Sequence, residues 1–179
     1  MGRKESKAWV CIHSICAANQ INEENLYQRS KLLLSSFSSL YWSRVPGRQW
    51  GERPMTCEDR FRLKEAFNYL KEFPATEEKQ NFLVRITTYM DVGLLQEMVN
   101  HALLRVAEFP DFGKIHFDIL SKCYISAVDY QEDDILFNLH MERSRYYDRK
   151  KEAIMLFGIA FWTIAIPNYE ELLAPVRIA

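Results

Sequence analysis

Nine consecutive residues, Arg143-Ser144-Arg145-Tyr146-Tyr147-Asp148-Arg149-Lys150-Lys151, hold the side chains best suited to meet an anion. Five of the nine are basic, with one acid and two tyrosines among them. A guanidinium fork grips a phosphate or a guanine edge through paired N–H donors, and a tyrosine hydroxyl can bond phosphate. Charge nearby is sorted by sign: Asp129, Glu132, Asp133, Asp134 and Glu142 precede the basic run with no Lys or Arg between them. After Glu152, residues 153–166 read AIMLFGIAFWTIAI and are apolar almost throughout. One helix with a basic first half and an apolar second half is expected, the second half anchored in a core or a dimer seam and the first projecting as a surface. Such a helix fits the major groove of B-DNA, about 12 Å wide, and the free N–H groups at its start favour an anion. Adjacent residues cannot share a helix face, so one of Tyr146 and Tyr147 meets the backbone and the other packs inward. The preceding acids must tilt away from phosphates or pair with Arg143, Arg149 or Lys150 in the free protein.

Other chemistry is thinner. Cys11, His13 and Cys16 lack the paired C-x2-C spacing of a structural zinc site and read as a packed helix stripe. His116 and Cys123 stand seven residues apart, about two turns, too far for a hydrogen-bonded nucleophile and base within one helix. His101 lies in a leucine-rich helix and reads as packed or partly exposed. The acid pairs Glu77-Glu78, Asp133-Asp134 and Glu170-Glu171 are sequence neighbours and point in different directions, not at one another across a site. No HExxH, phosphate-binding glycine loop or kinase signature occurs. The expectation is a non-enzymatic protein without a cofactor, a catalytic residue or a metal site. Arg44, Arg48 and Arg53 share a glycine- and proline-punctuated loop with Trp50. They could supply accessory contacts to a DNA backbone, or form a protein-binding loop anchored by Trp42 and Trp50.

These groups need a helical frame, and the sequence reads as one. Strand-like alternation and Asn-Gly or Asp-Gly hairpin signals are scarce. Helices are expected over 6–18, from 22 to about 45, from a Thr56 cap to Pro74, from 76 to about 89, and from an Asp91 cap to Pro110. A single longer helix over 86–106 crossing Gly93 is the alternative to the last two. Further pieces are expected over 114–125, 131–139 and 143–166, the last ending at Pro167, with a final turn around 169–173 packing back. The parts are 1–45, for dimerisation or partner binding; 56–110, a central helical region; and 111–179, which holds the basic helix. The chain has 179 residues, 48% hydrophobic and 26% charged, with a formal net charge of -1. That supports an all-α globular bundle and excludes a protein that coats nucleic acid by bulk charge. Four cysteines are too few for a disulfide scaffold and point to reduced thiols in the cytoplasm. The run Trp9-Val10-Cys11-Ile12 is too short for a signal peptide, and Met1-Gly2 with Ser6 matches a myristoylation start only formally. Fourteen apolar residues at 153–166 fall short of the roughly 20 that span a membrane, so no membrane partner is expected.

Ile119-Leu120-Ser121-Lys122-Cys123-Tyr124-Ile125, a short supporting helix at 131–139, and the run from Leu139 through His140-Met141-Glu142 to Ala153 together carry a resemblance. Over roughly residues 115–160 the chain resembles the C-terminal helix-turn-helix of ArpU/RinA-type phage transcription regulators, themselves similar to region 4 of sigma-70 factors. In that family a tyrosine pair followed by basic residues and alanine lies on the recognition helix. The resemblance implies a sequence-specific double-stranded DNA-binding regulator of phage or prophage type. The residues of the turn fit a helix-turn-helix on their own account, with Leu136 and Leu139 able to face the core and Met141 as the buried turn residue. The chain departs from the pattern at Glu142, where a small polar cap is usual, at His140, where a small residue or glycine is usual, and at Asp148, an acid near the groove. The DNA-contact set expected is Arg143, Arg145, Tyr146, Tyr147, Arg149, Lys150 and Lys151. The rival expectation is a helical adaptor or inhibitor that binds RNA polymerase or a nuclease. It accounts for the near-neutral charge and for the first hundred residues, which the resemblance leaves uncovered.

Overall fold

The computed structural model describes residues 5–42, 51 and 53–174, and those residues form an all-α fold with no strand among them. The short-range signals place most helix ends. The Ser6 side chain accepts from the Trp9 amide and opens α1 (Lys7–Ala18). Gln20, at φ 55°, reverses the chain into α2 (Glu23–Trp42), whose first turn carries Glu23 and Glu24. Thr56 and Asp59 exchange bonds in a capping box that starts α3 (Cys57–Glu72). Then come α4 (Lys79–Tyr89) and α5 (Val92–Ala107). These are two helices and not one through Gly93: Met90 and Asp91 are extended, and Asp91 accepts from the Gly93 and Leu94 amides.

The C-terminal third is α6 (Gly113–Leu120), a π-helical turn at Ser121–Ile125, α7 (Glu132–Leu139) and α8 (Arg143–Ala160). Pro167 does not end the last helix, contrary to expectation. A π-helical turn at Phe161–Ala165 intervenes, and α9 (Ile166–Glu170) follows directly, then a 3-10 turn at Glu171–Leu173. The Ile166 amide reaches five residues back, to the Phe161 carbonyl. The bonding ladder therefore restarts just where proline arrives, and the missing N–H falls at a helix beginning that tolerates it. The final turn packs back as expected: the Tyr169 hydroxyl lies 2.9 Å from His101 Nδ1, and Lys71 pairs with Glu170.

The apolar half of α8 is core. Ala153 to Phe161 are all buried, and α8 packs against α1, α2, α5 and α6. Gly158 permits the close approach of α2, since a Cβ there would meet Ser30 Oγ at 2.1 Å and Leu26 Cδ1 at 2.9 Å. The continuous helical stretch Arg143–Leu173 has 31 residues and is long and apolar enough to cross a membrane by length and composition alone. Its apolar window is 72% buried inside the fold, which is how a core helix behaves. A second, smaller apolar cluster lies under the α7–α8 corner and consists of Ile119, Ile135 and Tyr146. Leu136, Leu139 and Met141 flank it only half-buried, so Ile135, not Met141, roots the corner.

Candidate functional site

The corner between α7 and α8 is built from its turn outward. The His140 amide donates to the Phe137 carbonyl at 3.2 Å and the Met141 amide to the Leu136 carbonyl at 3.1 Å. This is a Schellman ending with His140 in the left-handed region, φ 49° and ψ 47°, where glycine is the usual occupant. Three residues later α8 begins. Glu142 precedes it in extended backbone and makes no side-chain cap, so no carboxylate of its own covers the first amides of α8.

Tyr146 fixes the rotation of this helix. It is buried, its ring belongs to the small cluster, and its hydroxyl lies 3.2 Å from Cys123 Sγ; burial pushes the phenol far above its ordinary range. With Tyr146 inward, Arg143, Ser144, Arg145, Tyr147 and Asp148 are exposed on the first two turns. Tyr146 therefore cannot be the tyrosine that touches a partner. Tyr147, half exposed, is the one on the surface.

The acids of α7 reach this face. Glu132 Oε1 pairs with Arg143 Nε at 3.1 Å, and Asp133 Oδ1 with Arg143 Nη2 at 3.0 Å. The Tyr147 hydroxyl donates to Glu132 Oε2 at 2.6 Å, a bond that raises the Tyr147 pKa. Arg145 is exposed and has no ion pair among the described residues.

The rest of the expected ridge leans on the protein: Arg149 and Lys150 are half-buried, and Lys151 is exposed. Arg149, whose side chain is 15% exposed, donates from Nη1 to Glu152 Oε2 at 2.7 Å and lies 4.0 Å from the centre of the Phe112 ring. Lys150 Nζ stands over Tyr124 and Tyr146, at 5.6 and 5.8 Å. Lys151 Nζ stands over Trp9 and Tyr27, at 5.6 and 5.7 Å. All three turn back along the protein, because Trp9 of α1, Tyr27 of α2, Phe112 before α6 and Tyr124 after it offer aromatic faces, and α8 itself offers the buried Glu152 carboxylate. Arg53 pairs with Asp59 at 3.3 Å. Arg44 and Arg48, with Trp50, lie outside the described residues.

Glu152 is the functional group that residue-by-residue reading passed over. Its carboxylate is 2% exposed and accepts from Ser6 Oγ at 2.5 Å, His116 Nε2 at 3.0 Å and Arg149 Nη1 at 2.7 Å. Burial opposes its charge. The bonds from His116, Ser6 and Arg149, with the Arg149 charge, outweigh burial and hold the carboxyl at about 2. Carboxylate, not imidazole, is central here, so this is a structural node joining α1, α6 and α8 and lacks the serine–histidine contact of a nucleophile and base. Phe112, whose ring meets the Arg149 guanidinium, is held in a left-handed conformation at φ 61°. The signal in sequence was a lone acid heading an apolar run, three residues after an arginine. The remaining histidines and cysteines stay apart: Cys16 is buried, and His13 is bridged between Glu5 and Glu23 on the surface.

Comparison with protein-family models, with curated proteins and with solved structures finds no match to this chain.

Proposed function

We propose that the chain is a sequence-specific double-stranded DNA-binding transcription regulator of phage or prophage type, and that the first two turns of α8 enter the major groove. The observation that carries this reading is one surface: Arg143, Ser144, Arg145 and Tyr147 exposed together at a helix start without a side-chain cap, with Tyr146 rooted beneath them. Phosphate and base edges call for those groups. The proposed contact set is narrower than the nine-residue run: Arg149 serves the fold through Glu152, and Lys150 and Lys151 lean on aromatic rings. The pairs that Glu132 and Asp133 make with Arg143 are solvent-exposed. Exposed pairs contribute about 0–1 kcal/mol, so a phosphate can replace them. The same acids repel a duplex docked in the wrong register, which favours specific over indiscriminate binding. A palindromic target would call for a two-fold dimer. The four free cysteines suit a reducing, cytoplasmic setting.

Selection of duplexes from a random pool on the immobilised full-length protein tests this. A common sequence should emerge, and Arg145→Ala should lose it. No enrichment at low salt rejects the reading.

A second reading, a helical adaptor or inhibitor of RNA polymerase or a nuclease, draws on Phe137. That ring is 77% exposed on α7, and the proposed DNA contact does not use it. A complex with RNA polymerase that survives nuclease treatment and is lost in Phe137→Ser would favour it.

A further inference from the structure

A cleft of about 340 Å³ lies between α1, α2 and α8, lined by none of the residues that the DNA reading uses. Its walls include two aromatic rings, Trp9 and Tyr27, with Met155 beside them. Three carboxylates, Glu5, Glu23 and Glu24, also line it. Aromatic faces bordered by carboxylates bind ammonium groups: the ring quadrupole attracts the charge, the apolar faces take the attached methylenes, and the acids supply the counter-charge.

The chain itself demonstrates the preference. Lys151 lies on the cleft wall with its ammonium over both rings, at 5.6 Å from Trp9 and 5.7 Å from Tyr27. The volume quoted is the space beyond that side chain. The acids retain acceptor capacity: Glu5 and Glu23 contact His13, at 2.9 and 2.6 Å, and Glu24 accepts from Gln28 at 2.8 Å, in every case through Oε1. The second oxygen of each carboxylate has no such contact among the described residues. Three carboxylates against one ammonium leave two negative charges in excess when His13 is neutral and one when it is protonated.

We infer that this cleft binds an aliphatic polyamine, with one ammonium displacing that of Lys151 from the Trp9 and Tyr27 rings and the others among Glu5, Glu23 and Glu24. An extended, flexible polycation matches the excess charge and the mixed apolar and acidic walls. A compact metal cation would leave the rings unused. His13 modulates the site. It stacks on Trp9 with ring centres 5.3 Å apart and faces Glu5 from the start of α1 and Glu23 from α2, with Glu24, Tyr27 and Lys151 completing the charged and titratable lining. The bond to Glu23 raises the His13 pKa above 6.5 even though partial burial opposes it. Protonated His13 competes with the ligand for two of the three carboxylates, so affinity rises with pH as His13 loses its proton.

Calorimetric titration of the full chain with spermidine, at fixed ionic strength, tests the site, with the Trp9 indole N–H resonance followed in parallel. Binding with a shift of that resonance is expected. Lys151→Met should tighten it about 3- to 10-fold by removing the resident cation, and Glu23→Gln should weaken it by a similar factor. His13→Asn should abolish the rise in affinity with pH. Circular dichroism of each variant separates loss of binding from loss of fold. Equal affinities for wild type, Lys151→Met and Glu23→Gln would overturn the inference, because the polyamine would then be held elsewhere. So would binding of a lysine-containing peptide but not of spermidine, since the source of the ammonium would then be a protein. None of these outcomes bears on DNA binding, so this proposal and the DNA reading can fail separately.

Discussion

Glu152 shows how one side chain can organise several helices. Its two oxygens receive Ser6 from the start of α1, His116 from α6 and Arg149 from its own helix, all within 3.0 Å. The charged form is the one the fold stabilises. A carboxyl with an ordinary value of 4.5, held at about 2 in the native state, contributes stability that is fully present above 4.5 and is lost as pH falls towards 2. Glu152→Gln keeps the shape but leaves Arg149 without its counter-charge. It should cost about 3–5 kcal/mol at neutral pH, the usual result of breaking one partner of a buried pair. Urea denaturation at neutral pH measures this, and the same titration repeated between pH 5 and 2 should show a flatter acid dependence than in wild type. The Arg149 guanidinium is thus spoken for, and its sequence neighbours Lys150 and Lys151 are spoken for by aromatic rings.

At the scale of the element, the two halves of α8 divide by burial as the sequence divides by polarity. Thr56 and Asp91 cap the helices that their positions announced, because an N-cap is a local interaction spanning three residues, and Ser6, expected as the first residue of a helix, is the cap of α1. The inward turn of one tyrosine of the pair was legible for the same reason: neighbouring residues in a helix are about 100° apart. What was not legible is where a long basic side chain lays its head. Lys151 meets Trp9 and Tyr27 from more than a hundred residues away in the chain, and only the packed bundle brings those rings within reach. The passage of the helix through Pro167 was hidden likewise, since a π-helical turn depends on the bonding ladder and leaves no composition signal. The α7–α8 turn carries a strain that can be relieved. His140 occupies a left-handed position that glycine adopts freely. His140→Gly should raise stability by about 1 kcal/mol, seen as a higher midpoint in thermal denaturation. The Phe137–His140 ring contact, tilted with 6.3 Å between centres, sits at an exposed ring and offsets only part of that gain.

For the whole molecule, what matters is that the two apolar clusters differ greatly in size. The larger joins α1 through α5 with the second half of α8, whereas the smaller has three buried residues, Ile119, Ile135 and Tyr146. Local opening follows the density of buried contacts. Hydrogen exchange should therefore be faster in the amides of α7 and the His140 turn than in α5 or in residues 153–160. Uniform protection across α5, α7 and α8 would contradict this division. The weaker corner is also the part proposed to meet DNA, where an adjustable helix pair can exchange the Glu132 and Asp133 contacts of Arg143 for phosphate. A salt titration of binding to a duplex obtained by selection tests that proposal most directly, comparing wild type, Arg145→Ala and Lys151→Ala. Arg145→Ala should weaken binding and lower the slope of log affinity against log salt by about one, while Lys151→Ala should leave the slope unchanged. An unchanged affinity and slope in Arg145→Ala, or a slope lost only in Lys151→Ala, would show that the start of α8 is not the surface that meets DNA.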